Sequence, residues 1–436
     1  MKLLIENISI VPMTADNFLI EKGYIVIGGN KIEKVGAGEA PLDNYDQRID
    51  GTNQLALPGF INTHTHAAMT LLRGYADDMP LMEWLEKKIW PLEAKLTADD
   101  VYWGTMLAIV EMIKSGTTCF ADMYFFMDDV ARAVNQTGIR AVLARGMVGV
   151  GPENELAISQ SRELITKWNG SGNGRINFIL GPHAPYTCPP EYLKIVMGLA
   201  EELNVGLHIH LAETAGEFEE SSRIYGKTPV AQMESLGLFN HKVIAAHCVH
   251  VSDQDIEILA KYQVGVVHNP ESNMKLASGV APVPAMLKAG IPVALGTDGA
   301  SSNNNLDMLQ EMRTCALLHK VHTLNPTVIP AYQALQMATT NGAKALKLDT
   351  EIGRIEAGKK ADVILIKMDE AHFIPRYDLI ANLVYSGQSS DVNTVIIDGK
   401  VIMQDRVIKT IDEQEILERA KQTAAKLVSP SIKPNK

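Results

Sequence analysis

The stretch Gly59-Phe60-Ile61-Asn62-Thr63-His64-Thr65-His66 closes an apolar run with two imidazoles two residues apart. In an extended chain, side chains at i and i+2 share a face, so His64 and His66 reach toward one point. At the end of a barrel strand that point suits a metal ion, whereas inside an ordinary core such a pair is hydrogen-bonded filler. The surrounding sequence decides between these. Seven further apolar runs of strand length follow at 117–123, 140–147, 176–183, 206–213, 243–249, 264–269 and 292–298. Helical spacing separates them, as at 99–114, where Tyr102, Met106, Ile109, Val110 and Ile113 recur on one face, and at 191–203.

Alternating strands and helices predict parallel strands joined by crossover helices. Eight such units is the number of a TIM barrel, whose active site lies at the C-terminal strand ends; a doubly wound sheet also satisfies the alternation. Later strands finish on His183, on His210 with Glu213, on His247, on His268 and on Asp298. Buried ionisable groups at matching strand ends are costly unless paired or metal-bound. Both ends of the chain read instead as short strands and hairpins, with the turns Gly28-Gly29-Asn30-Lys31 and Asp398-Gly399-Lys400. The predicted class is therefore α/β. A (β/α)₈ TIM barrel at 58–345 is inserted into a small β-sandwich domain formed from both termini, 1–57 and 346–436, with a helix at 412–427 and a Pro/Lys tail.

The 436 residues are 46% hydrophobic and 21% charged, which excludes disordered, collagenous and coiled-coil chains. A formal net charge of −11 repels phosphate backbones and anionic membranes, so neither nucleic acid nor a membrane is an expected partner. Cys119, Cys188, Cys248 and Cys315 form no CxxC pair, which points to a reducing cytoplasm. Glu6 interrupts the N-terminal apolar run before it reaches secretory length, and no stretch approaches the ~20 apolar residues of a membrane span. A homo-oligomer is compatible with this composition.

Several segments resemble the amidohydrolase superfamily, in its branch of 5′-methylthioadenosine/S-adenosylhomocysteine deaminases and related aminohydrolases. They are PGFINTHTH (58–66), SGTTCFADM (115–123), GPHAPYT (181–187), HIHLAET (208–214), AHCVH (246–250), HNPESNMKLASG (268–279), GTDGASSNNNLDM (296–308) and IGRIEAGKKADVILI (352–366). The resemblance implies one divalent metal held by His64, His66, His210 and Asp298, with Zn²⁺ first and Fe²⁺ or Mn²⁺ tolerating similar ligands. His208 shares a face with His210, and the match to HxHxxE favours His210 as the ligand and leaves His208 as a deeper packing residue. Two-metal relatives carry a lysine where this chain has His183, which implies a mononuclear site.

A metal-activated hydroxide would attack an adenine nucleoside and release ammonia from its 6-amino group. Glu213 would pass the water's proton to N1, His247 would polarise the hydroxide, and Asp298 would carry a second proton to the departing amine. For the substrate, 5′-methylthioadenosine first and S-adenosylhomocysteine or adenosine after it, the resemblance implies contacts from Glu93 to the ribose diol and from His183. Trp84 is expected to cover the base or thioether, Ser302 to touch the purine, and Arg145 to meet the amino-acid part. The second arginine that suits S-adenosylhomocysteine is replaced by Ala157, with Arg162 the nearest substitute; a lone arginine captures a carboxylate less well than a pair. His250 and His268 are expected near the barrel mouth, and the long segment 67–98 is expected to act as a lid. Rival expectations are a related enzyme of guanine, cytosine or a triazine, and a silent barrel scaffold, which would be expected to have lost metal ligands.

Overall fold

A computed structural model describes residues 2–151 and 154–429; the Pro/Lys tail lies outside the described residues. Eight parallel strands run in sequential order: Phe60–Thr65, Thr117–Tyr124, Arg140–Met147, Ile176–Pro182, Leu207–Leu211, Val243–His247, Gly265–His268 and Val293–Leu295. Crossover helices such as Ala98–Lys114 and Pro190–Leu203 cover the outside. Between the first and eighth strands the seam closes through side chains and one backbone bond. Asp298 N donates to His64 O at 3.0 Å, Thr63 Oγ1 to Leu295 O at 2.7 Å, and Asn62 Nδ2 to Thr297 Oγ1 at 2.7 Å. A separate apolar cluster that includes Ile61, Ala121, Val142, Ile244 and Val267, with Leu346 and Ile352, fills the interior, so the barrel is a packed core and not a pore.

The two chain ends meet in one mixed sheet of nine strands, joined where Gln54–Pro58 pairs antiparallel with Val363–Lys367. Ile5 and Ile27 from one half share an apolar cluster with Leu365 and Ile396 from the other, so the sheet folds over itself as a sandwich. Three of its strands, Gln47–Asp50, Gln54–Pro58 and Val407–Ile408, are too short for an alternating pattern to stand out in the sequence. From Gln54–Pro58 the chain passes through Gly59 directly into the first barrel strand. A Cβ at Gly59 would lie 2.1 Å from the Thr118 side chain, so only glycine allows that approach. The C-terminal helix Glu413–Val428 packs on the barrel helix Ala98–Lys114, where Lys114 Nζ meets Glu413 Oε1 at 2.7 Å. Among the described residues no helix is long and apolar enough to cross a membrane.

Arg140 ties the barrel to the sheet. Buried at 1% exposure, it donates to both oxygens of Asp362 at 2.8 and 3.0 Å, and Asp362 also accepts the Asp398 N–H at 2.8 Å. Removing one partner of a buried pair strands the other charge, at a cost of about 3–5 kcal/mol. Arg140→Met is therefore expected to lower the unfolding free energy by about that amount in urea titration. A wild-type midpoint would contradict this account of the junction.

Candidate active site

The site residues sit where the strands stop. Along Leu207–Leu211 the leucines and Ile209 enter the helix-packed core, which leaves His208 and His210 facing the interior. At or just past the ends of the ladders the backbone turns left-handed at Ala212 (φ 53°), His247 (φ 74°), Cys248 (φ 47°) and Asp298 (φ 61°). Residues with a Cβ adopt this conformation at a cost, and such residues cluster at functional sites. The strands stop at Leu211, His247 and Leu295, short of the expected 213, 249 and 298.

His64, His66 and His210 bring donor atoms within 4.8 Å of one another, as do His64, His247 and Asp298. His66 Nε2 lies 3.3 Å from His210 Nε2 and 3.3 Å from Asp298 Oδ1, and His64 Nε2 lies 3.4 Å from the same oxygen. Around a tetrahedral ion with ~2.0–2.1 Å bonds, neighbouring ligands are separated by about 3.3 Å, so these spacings fit. The far nitrogens are anchored: His66 Nδ1 to Met123 O at 2.7 Å, His210 Nδ1 to His183 O at 2.7 Å, and His64 Nδ1 to His208 Nε2 at 2.9 Å. That is how ligand imidazoles are commonly oriented. His208 thus supports His64 rather than merely filling the core. His64 Nε2 is buried without a hydrogen-bond partner, as expected of an atom that awaits a cation.

The electrostatics agree. Burial pushes His64 down to about 4 and His210 well below its usual value, keeping both rings neutral and able to donate a lone pair. Burial also opposes charge on His66, but the Asp298 carboxylate outweighs it and raises that imidazole to about 9. Despite burial, His64 and His66 hold Asp298 well below the carboxylate range. Asp298 is thereby a buried negative charge, which a divalent cation held by the neutral imidazoles would balance.

Glu213 is buried, which raises its pKa, and its Oε2 lies 3.8 Å from His247 Nε2. Asn273 Oδ1 fixes the His247 ring at Nδ1, 2.9 Å away. Ser272 and Ser302 each donate to Asp298 Oδ2, at 2.7 and 3.1 Å. Ser302 lines the cavity with its hydroxyl in reach of both Asp298 Oδ2 and Gly299 O, each at 3.1 Å. These groups open into a mainly apolar cavity of about 420 Å³ that also holds His183, Trp84, Glu93, Tyr124 and Tyr186. Burial raises Glu93, and Tyr124 Oη donates to its Oε1 at 2.7 Å. Trp84 is fixed by donating Nε1 to Ala76 O at 3.0 Å, and His183 Nδ1 lies 2.9 Å from Thr187 Oγ1. Segment 67–98 builds this wall from short helical turns, including a π-turn at Leu85–Ile89, a distortion frequent at functional sites.

Arg145 lies outside this cavity, in an adjoining one of about 820 Å³ that shares Trp90, Glu93 and Phe125 with it. Its Nε donates to Gln160 Oε1 at 3.1 Å and its Nη1 to Gly146 O. Arg162 lines neither cavity. It is exposed on the helix Asn154–Trp168 and paired with Glu202, so the expected substitute arginine points away; an offset in sequence did not reveal the helix face. His250 Nε2 binds Ser278 O at 2.6 Å. His268 belongs to a second donor group with Cys315 and His319, within 4.8 Å of one another and wholly buried. Its rings share one contact of 3.2 Å between Nε2 atoms, and the Nδ1 of each lacks the anchor seen on His64, His66 and His210. We read it as a hydrogen-bonded imidazole pair. Tyr124, Ser272, Asn273 and Glu217 escaped the sequence reading; Ser272 and Asn273 lie inside HNPESN, but only coordinates reveal what their side chains hold.

A (β/α)₈ barrel that gathers imidazoles and an aspartate at its C-terminal mouth is the scaffold of a metal-dependent hydrolase. The chain belongs to the amidohydrolase family, whose model matches residues 55–402. A protein of Syntrophomonas wolfei subsp. wolfei named 5-methylthioadenosine/S-adenosylhomocysteine deaminase is 67% identical over 98% of this chain and 100% of its own. A protein of the same name from Desulforamulus reducens is 53% identical over 98% of this chain and 99% of its own. Among solved structures, an adenosine deaminase from Xanthomonas campestris with bound zinc superposes with a TM-score of 0.94 at 35% identity, covering 98% of both chains. Together with the donor set, this makes the centre a divalent-metal site.

Proposed function

We propose that the protein hydrolytically deaminates 6-aminopurine nucleosides, with 5′-methylthioadenosine as the preferred substrate and Zn²⁺ as the ion. The observation that carries this is the placement of buried Glu213 beside His247, on the wall of an apolar cavity that also holds Glu93. The name and 67% identity of the Syntrophomonas wolfei protein support the substrate class. Three nitrogens and a carboxylate oxygen suit tetrahedral zinc better than the six-coordinate preference of Mn²⁺. A cytoplasmic setting, where the four buried free cysteines stay reduced, goes with this reading.

His64, His66, His210 and Asp298 would hold the ion. When bound, a divalent ion lowers the pKa of its water to about 7 and so makes a nucleophile available at neutral pH. Glu213 takes the water's proton and delivers it to purine N1, which makes C6 electrophilic. His247, oriented by Asn273, holds the attacking oxygen. Asp298 carries the second proton to the amine, which leaves as ammonia while C6 becomes a carbonyl. Glu93 accepts from the ribose hydroxyls with Tyr124 fixing its orientation, His183 bonds the nucleoside, and Trp84 covers its apolar face.

Arg145 faces the larger adjoining cavity, whose lining among the described residues includes no other arginine, so a charged amino-acid arm is held less firmly than a methylthio group is packed. The expected order of kcat/KM is 5′-methylthioadenosine above S-adenosylhomocysteine, with guanine, cytosine and triazines unturned. Arg145→Ala is expected to lower kcat/KM for S-adenosylhomocysteine about 10-fold, the worth of a charge-assisted bond, and to spare 5′-methylthioadenosine. Equal loss of both substrates would contradict the role given to Arg145.

A further inference from the structure

We propose that Glu217 is a positioning residue for Glu213: its carboxylate clamps the two backbone N–H groups that set where the Glu213 side chain starts. This rests on Glu213 being the proton carrier. Ala212 N donates to Glu217 Oε1 and Glu213 N to Glu217 Oε2, both at 2.9 Å. Glu217 is buried, so water does not share these bonds. A glutamate at the third helical position ordinarily reaches back to the amide of the capping residue. Here Thr214 Oγ1 accepts the Glu217 N–H at 3.2 Å, and the carboxylate passes over Thr214 to the two preceding amides.

Those amides belong to the left-handed turn at Ala212, φ 53°, which the clamp holds in a conformation that residues with a Cβ resist. On its other side, Ala212 O accepts the N–H groups of Val249 and His250 at 3.0 and 2.9 Å, from the turn after His247. One short backbone segment, gripped by Glu217 and by the sixth-strand turn, therefore fixes Glu213 relative to His247. A proton carrier must lie within hydrogen-bond reach of the atom it serves, and about 1 Å of misplacement costs about 100-fold. Glutamine at 217 keeps the shape but offers one acceptor oxygen, and its NH₂ then opposes the other backbone N–H donor to donor.

The test is Glu217→Gln in the metal-loaded protein. We expect kcat to fall about 30–100-fold, KM for 5′-methylthioadenosine to stay within about threefold, and metal content to match the parent. A nucleoside analogue with a tetrahedral, hydroxyl-bearing carbon in place of C6 should lose affinity by a similar factor, while the inosine-type product binds as before. Adding Glu217→Gln to Glu213→Gln should then cost the analogue nothing further. Losses that multiply would mean Glu217 supports the barrel generally and would overturn the positioning role, as would parental kcat in Glu217→Gln. Undiminished activity in Glu213→Gln would remove the proton carrier itself, a separate failure that also ends this proposal. Glu217→Asp keeps both oxygens on a shorter arm and should recover at least about threefold of the lost kcat. If the glutamine variant does not fold, the kcat-against-KM split of the aspartate variant decides.

Discussion

Glu213→Gln is expected to lower kcat by about 10³-fold or more, with the metal retained and KM little changed. Glutamine matches the carboxylate in size and still bonds a purine nitrogen, but it cannot take a proton from water and return it to N1. Bulk water cannot take over, because Glu213 is only 6% exposed. General acid–base catalysis by one group is worth about 10²–10⁴, and here a single group serves both the attack and the ring protonation. Metal content reports separately on the donor groups His64, His66, His210 and His64, His247, Asp298, neither of which includes Glu213. A kcat within about tenfold of the parent would remove Glu213 from the proton path.

Chelation of the ion is expected to bring turnover below about 1% of the loaded protein, with stoichiometric Zn²⁺ restoring it. Without the cation, Asp298 Oδ1 faces only the His66 and His64 Nε2 atoms, at 3.3 and 3.4 Å, and the acidification of water that a divalent ion supplies is lost. The same treatment is expected to lower the melting temperature by several degrees, because ligand at about a thousand times its Kd stabilises the native state by about 4 kcal/mol. Collapse of the fold is not expected, since the barrel interior and the terminal sheet have their own apolar cores. Full turnover by protein shown to hold no metal would contradict the role of the centre.

The eight barrel strands were legible because parallel strands buried on both faces are continuous apolar runs, and each run is bounded by polar helical stretches. His64, His66, His210 and Asp298 were legible as strand-end residues. Their separation was not, since strand parity gives His208 and His210 the same face, and only distance shows His208 holding His64 Nδ1. The ends of the strands were overrun for a related reason. The left-handed turns at Ala212, His247 and Asp298 carry no glycine to announce them; Ala212 is held by the Glu217 carboxylate and by the amides of Val249 and His250, and Asp298 by its bond to His64 O. Arg162, the nearest arginine in sequence to the missing second one, is turned by its helix to Glu202 and solvent, a rotation that spacing from Arg145 does not encode.

The most direct test of deamination at this centre is an ultraviolet scan of purified, zinc-supplemented protein with 5′-methylthioadenosine, following purine absorbance as the 6-amino group becomes a carbonyl. A turnover-dependent spectral shift with release of one ammonia per nucleoside is the predicted result. No shift, with the metal confirmed in the protein, would contradict it and leave the barrel and its metal centre to act on guanine, cytosine or a triazine.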